Sequence, residues 1–97
     1  MSHELQSRHS VSDLCDNPVV HDYQDANDRM HAGIAMELSG DADLDFLRAM
    51  IPHHQGAIDM ARVVIIHGSD PEVRELAEAI ITAQGNAIEL METWLKK

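Results

Sequence analysis

Two long apolar periods, parted only by Gly68-Ser69-Asp70, constrain this chain more than any other feature. The first runs from about Asp41–Asp43 to His67, and the second from Pro71 to Leu95. Apolar residues in each recur every three or four positions, the spacing of a helix with one buried face. Gly68 is suited to end the first helix, and Pro71 suits the opening position of the second. Ser69 is placed to cap that start, with Glu72 three residues on to complete a capping box. So short a connection makes the two helices antiparallel neighbours.

Upstream, Tyr23, Ala26, Met30, Ile34 and Leu38 mark a further helix over about Val20–Leu38, with Gly40 suited to a left-handed position at its end. Residues 1–19 are polar and aperiodic, and Asp16-Asn17-Pro18 reads as a turn. The expected organisation is a mobile N-terminal segment over 1–19 and a single helical domain over 20–97. No strand pattern or repeat competes, so the expected fold is all-α: three principal helices, two of them in a long antiparallel hairpin. Pro52 lies inside the first hairpin helix and removes a hydrogen bond to Arg48, so a kink or local opening is expected there.

A chain of 97 residues with 3% aromatics builds only a modest core. Either the first helix covers the open face of the hairpin, or a second copy does so in a four-helix arrangement. The expected state is a homodimer. The net charge of −10, from 17 acidic and 7 basic residues, argues against nucleic acid, which is held by clustered Lys and Arg. Such a surface favours cations. With Cys15 the only cysteine, an intrachain disulfide and a thiolate cluster are excluded. No 18-residue apolar run offers a membrane-spanning helix. Met1-Ser2-His3-Glu4 lacks the basic start and apolar stretch of a signal peptide, so the expectation is a cytoplasmic chain or one that has been trimmed.

The chemistry concentrates in Met50-Ile51-Pro52-His53-His54. On the helical wheel His54 lies about 40° to one side of Met50 and His53 about 60° to the other. Thioether and imidazole suit soft or borderline ions such as Cu(I), whereas hard ions want clustered oxygens. A second reading stands beside this one. Gln84 occupies the centre of the last helix's apolar stripe, and a His54–Gln84 hydrogen bond would satisfy both groups inside a packed bundle. Met60 and His67 continue the His53 side at intervals of seven. Ten residues from Met50 to Met60 span about 15 Å, too far to share one ion, and a methionine at core spacing also serves as filler. On the first helix Met30 faces the apolar stripe, His31 flanks it and Met36 points away. No Glu-x-x-His or His-Glu-x-x-His motif occurs, nor any Gly-rich phosphate loop or Gly-x-Ser-x-Gly elbow, so no enzyme is expected.

The run Gly40-Asp41-Ala42-Asp43-Leu44-Asp45-Phe46 through Met50-Ile51-Pro52-His53-His54-Gln55-Gly56-Ala57-Ile58-Asp59-Met60-Ala61 resembles the family catalogued as domain of unknown function 305. Asp70-Pro71-Glu72-Val73-Arg74, Ala83-Gln84, Trp94-Leu95 and the upstream Met30-His31 are similar to its pattern as well. The resemblance covers about residues 23–95. It implies a ferritin-like helical bundle, and some members are exported copper-binding proteins that use methionine and histidine side chains. The matching positions are Met30, His31, Met50, His53, His54 and Met60, the metal ligands the resemblance implies. Gln84-Gly85-Asn86-Ala87-Ile88 departs from the pattern, since members commonly carry glutamates there. The expected function is non-catalytic copper sequestration or buffering. The alternative is a structural or interaction module whose core histidines hold no metal.

Overall fold

The computed structural model describes residues 16–35 and 37–97. Cys15, Met36 and residues 1–15 of the polar N-terminal segment lie outside the described residues. Among the described residues the chain forms three helices, α1 (Pro18–Ile34), α2 (Ala42–His67) and α3 (Pro71–Leu95), and no strand. It is an all-α bundle in which α2 and α3 form the long antiparallel hairpin. Among the described residues no helix is long and apolar enough to cross a membrane.

The first helix starts earlier and stops sooner than the apolar period indicates. Asn17 caps it, its Oδ1 accepting from the amides of Val19 at 2.8 Å and Val20 at 3.3 Å, and Pro18 takes the first turn. Asp16 lies in a turn, as the sequence indicates, and Asn17-Pro18 makes that turn the start of the helix. At the other end α1 stops at Ile34, four residues before Leu38, and Ala35 is the C-cap. Gly40 does adopt φ +91, but in the turn that leads into α2 and not at the end of α1. The Asp45 carboxylate commits this stretch to a loop. It accepts from the Ser39 amide at 2.9 Å, the Ser39 hydroxyl at 2.8 Å and the Gly40 amide at 3.1 Å. Asp41 then caps α2, accepting from the amides of Asp43 and Leu44.

These bonds favour the charged carboxylate, and the Ser39 amide, then its hydroxyl, hold Asp45 below its ordinary value of 3.8. A folded-state value lowered in this way contributes stability that is complete above pH 3.8 and is lost as the pH falls through the lowered value. The thermal midpoint of the parent chain should fall more steeply below pH 4 than that of Asp45→Asn. Parallel acid profiles for the two proteins would contradict this account of the loop.

In the hairpin, Asp70 and not Ser69 caps α3, accepting from the amides of Glu72 at 2.9 Å and Val73 at 3.3 Å. Asp70 stands immediately before Pro71, so its shorter reach to these amides displaces the Ser69–Glu72 box. Arg74 closes the turn from the other side. Its Nη1 donates to the Ile65 carbonyl at 2.6 Å and the Gly68 carbonyl at 3.3 Å, satisfying the end of α2 and placing a cation at its negative pole. Arg74→Ala should cost about 1–2 kcal/mol in urea unfolding, the worth of a charge-assisted hydrogen bond at a partly buried site. A loss within error would show that solvent satisfies these carbonyls equally well.

The middle helix carries both others. On one side α2 packs against α1, and on another against α3, while no Cα of α1 comes within 8 Å of α3. The α1 contact is close at two glycines. A Cβ on Gly33 would lie 2.6 Å from Pro52 Cβ, and one on Gly56 would lie 2.7 Å from Met30 Sδ. The expected opening at Pro52 does not interrupt α2, which continues through it while the ring packs on Gly33. Asp59 binds Arg29 of α1 at 3.4 Å, and His67 Nε2 meets Asp22 Oδ2 at 2.7 Å.

The resulting core is thin. Among the described residues its buried apolar members are Ala26, Ile58, Ala61, Val63, Ala77 and Met91, and no large side chain is fully buried. With no Cα of α1 within 8 Å of α3, the first helix leaves the face of the hairpin partly open, and Tyr23 is the α1 side chain that lines it. A groove of about 270 Å³ remains open over α2, lined by Tyr23, Ala57, Met60, Val64, Leu76 and Ile80 among others.

Candidate metal centre

One turn of α2 supplies Met50, His53 and His54, and its backbone decides what His54 offers. His54 Nδ1 lies 2.8 Å from the Met50 carbonyl oxygen. A carbonyl only accepts, so Nδ1 carries the proton and, in the neutral ring, Nε2 holds the lone pair. No hydrogen bond joins His54 to Gln84 among the described residues, although the hairpin brings the two helices together. The carbonyl four residues back lies on the same helix and needs no matched interhelical distance. The expected His54–Gln84 pair is thus replaced by a local bond that engages Nδ1 and not Nε2.

His53 is exposed on the neighbouring radius of α2. The two rings stand edge to face with centroids 6.2 Å apart. Two imidazoles that bind one ion through nitrogen at about 2.0 Å have centroids roughly 5–6.5 Å apart, so the pair falls within that span.

The remaining sequence-derived residues divide. Met30 is carried across from α1 and lies over Gly56, two residues beyond His54. His31 is exposed on α1 and forms no hydrogen bond or ion pair among the described residues. Met60 lines the open groove and is 50% exposed, so it neither fills the core nor joins Met50. His67 is engaged by Asp22. The role of Gly56 as the seat of Met30 was open to inference, since a glycine inside a helix is costly unless something approaches it closely. The Asp22 partner of His67, 45 positions away, carries no sequence signal.

Among the described residues no three His, Cys, Asp or Glu side chains converge. Carboxylates do not complete the histidine pair. Among the described residues, the thioethers of Met50 and Met30 are the nearest soft donors in sequence and packing to that pair. The donor set is neutral and soft, and it fits Cu(I) better than Mg²⁺ or Ca²⁺.

The family model described as domain of unknown function (DUF305) matches residues 8–97. The chain belongs to this family. An uncharacterized protein of Acanthamoeba polyphaga mimivirus is 40% identical over 53 residues, a stretch that covers 55% of this chain and 35% of that protein. The similarity therefore spans about a third of that relative's length. Membership of DUF305 accounts for the co-occurrence of the Met50–Ala61 run and the α3 pattern in one chain, and assigns no activity to either.

Proposed function

We propose that this DUF305 chain is a small non-catalytic protein that sequesters or buffers copper through methionine and histidine side chains, and that it works as a homodimer. The observation that carries the reading is the His54 Nδ1–Met50 carbonyl bond of 2.8 Å. Histidines that ligate metals almost always donate their other ring N–H to a carbonyl or carboxylate, which fixes the ring and its tautomer. Met50, His53 and His54 would hold the ion, with Met30 packed beside them against Gly56. Bound Cu(I) would be stored rather than used. The acidic surface, at a net charge of −10, attracts cations to the chain without selecting among them.

Competition titration against a chromophoric Cu(I) chelator tests the reading, with Mg²⁺ and Ca²⁺ as controls. Cu(I) should bind with an affinity that excess Mg²⁺ or Ca²⁺ does not reduce. If Cu(I) is displaced by millimolar hard ions, the surface charge alone accounts for binding. If no Cu(I) binds, the histidines belong to a structural module.

A further inference from the structure

The last helix carries two apolar stripes, and α2 covers only one. Ala77 and Met91 lie on the covered stripe and are buried. The other runs from Val73 through Leu76, Ile80, Ala83 and Ala87 to Leu90 and Trp94, alternating steps of three and four as in a coiled-coil seam. Leu76 is 60% exposed and Trp94 46%. On α2 the series Phe46, Met50, His53, Ala57, Met60, Val64 keeps the same spacing. Both stripes look onto one side of the hairpin: Phe46 and Trp94 share a hollow at one end with Asp43 at its wall, and Met60 and Val64 share the groove with Val73, Leu76 and Tyr23 of α1 at the other.

We infer that a second copy of this chain seats on this face, antiparallel about the level of His53 and Gly85, and that the pairing brings Met50 and His53 of both copies into one soft-metal site. The order of side chains supports self-pairing. Large residues stand at both ends of the α3 seam and small ones in the middle, so a two-fold rotation sets Leu76 on the partner's Trp94, Ile80 on the partner's Leu90 and Ala83 on the partner's Ala87. The same rotation sets Phe46 against the partner's Met60 and His53 against the partner's His53, with Met50 between them, level with the partner's Gly56 and next to its Ala57. These two centres are level in the hairpin. Val64 shares a hollow with Val73, and Leu47 with Trp94, which places residue 53 beside residues 84–88 of α3. An unrelated helix has no reason to match both series about one centre.

Charge and area agree. No charged residue lies on the α3 seam between Val73 and Trp94, although the chain carries a net charge of −10. Glu75, Glu78, Glu89 and Glu92 all fall on other radii of the helix, so two acidic copies meet without repulsion at the seam. The exposed parts of Phe46, Met60, Val73, Leu76, Leu90 and Trp94 amount to on the order of 650 Å² per copy, near the roughly 800 Å² per partner of a standard interface. Beside His54, the Met50 thioether and His53 imidazole of the second copy supply donors that the described residues of one chain do not bring together. The ion at this site rests on the copper-binding reading above, whereas the pairing of copies does not.

The test uses the full chain. Sedimentation should give a dimer at micromolar concentration, and folded Ala83→Glu should weaken it at least about 100-fold by setting carboxylates at the seam's centre. In a Cys15→Ser background, Ala83→Cys mixed with Ala87→Cys should yield the mixed disulfide in preference to either homodisulfide. Cu(I) should load at one ion per two chains in the parent, with affinity lost in Ala83→Glu. A monomeric parent, or a predominant homodisulfide at Ala83→Cys, overturns the pairing. Undiminished Cu(I) affinity in monomeric Ala83→Glu overturns the shared site while the interface stands. A dimer of the stated register that binds no Cu(I) refutes the copper-binding reading and leaves the pairing supported.

Discussion

Gly56→Ala is expected to destabilise the chain by about 1–2 kcal/mol, against the gain of up to about 1 kcal/mol that replacing a mid-helix glycine ordinarily brings. The new Cβ would lie 2.7 Å from Met30 Sδ, 3.0 Å from its Cγ and 3.1 Å from its Cβ. The sulfur alone is able to swing aside, but the Met30 Cβ is fixed to the α1 backbone, so α1 itself must yield. With so few buried residues the chain has little reserve to absorb that shift. Gly85→Ala supplies the contrast. Nothing lies within 4 Å of its added Cβ, and stability should rise by about 0.5–1 kcal/mol. Trimming the obstructing side chain should restore coupling in a double-mutant cycle: Met30→Ala with Gly56→Ala should cost less than the two single losses combined. Urea unfolding of the four variants decides. Equal signs for Gly56→Ala and Gly85→Ala would mean that Met30 does not rest on Gly56 as described.

Most of the helical architecture is local chemistry, and for that reason it can be read from the residues. Asp41, Asp70, Pro71 and Gly68 sit where caps and breaks operate within four positions of their partners, and the ends of α2 and α3 fall where those residues place them. The errors arise where the deciding contact is not the nearest one. Leu38 continues the apolar period of α1 but stands outside the helix, 76% exposed, because the Asp45 carboxylate binds Ser39 and Gly40 from five and six residues downstream. Asn17-Pro18 carries the signals of a cap and a first turn, and the turn read there opens α1 at Pro18, ahead of the apolar period. The packing of α1 is invisible in the chain. Gly33 on Pro52 and Met30 on Gly56 are complementary shapes from separate helices, and no periodicity pairs them. For the histidines, period alone places His54 level with Gln84, yet it cannot say which acceptor the ring takes. The Met50 carbonyl, one turn away on the same helix, wins.

That choice of acceptor sharpens the second large effect. His53→Ala with His54→Ala should lower Cu(I) affinity by more than about 100-fold, since losing even an outer partner of a ligating histidine costs 10–100-fold. The fold should survive. A buried His54–Gln84 pair would leave Gln84 orphaned in the variant, at the cost of an unsatisfied buried group. The observed bond instead ends on the Met50 carbonyl, which the His54 backbone amide also serves within α2, so His54→Ala should cost only about 0.5–1.5 kcal/mol. His53, exposed and without a hydrogen bond, should cost little of the fold. Unfolding curves of the metal-free variants, run beside the Cu(I) competition titrations, separate ligation from stability. His54→Gln is the informative intermediate: it is polar and nearly isosteric but offers no imidazole nitrogen, so stability should hold while Cu(I) affinity falls. A double variant that stays folded and keeps parental Cu(I) affinity would reduce this turn of α2 to packing.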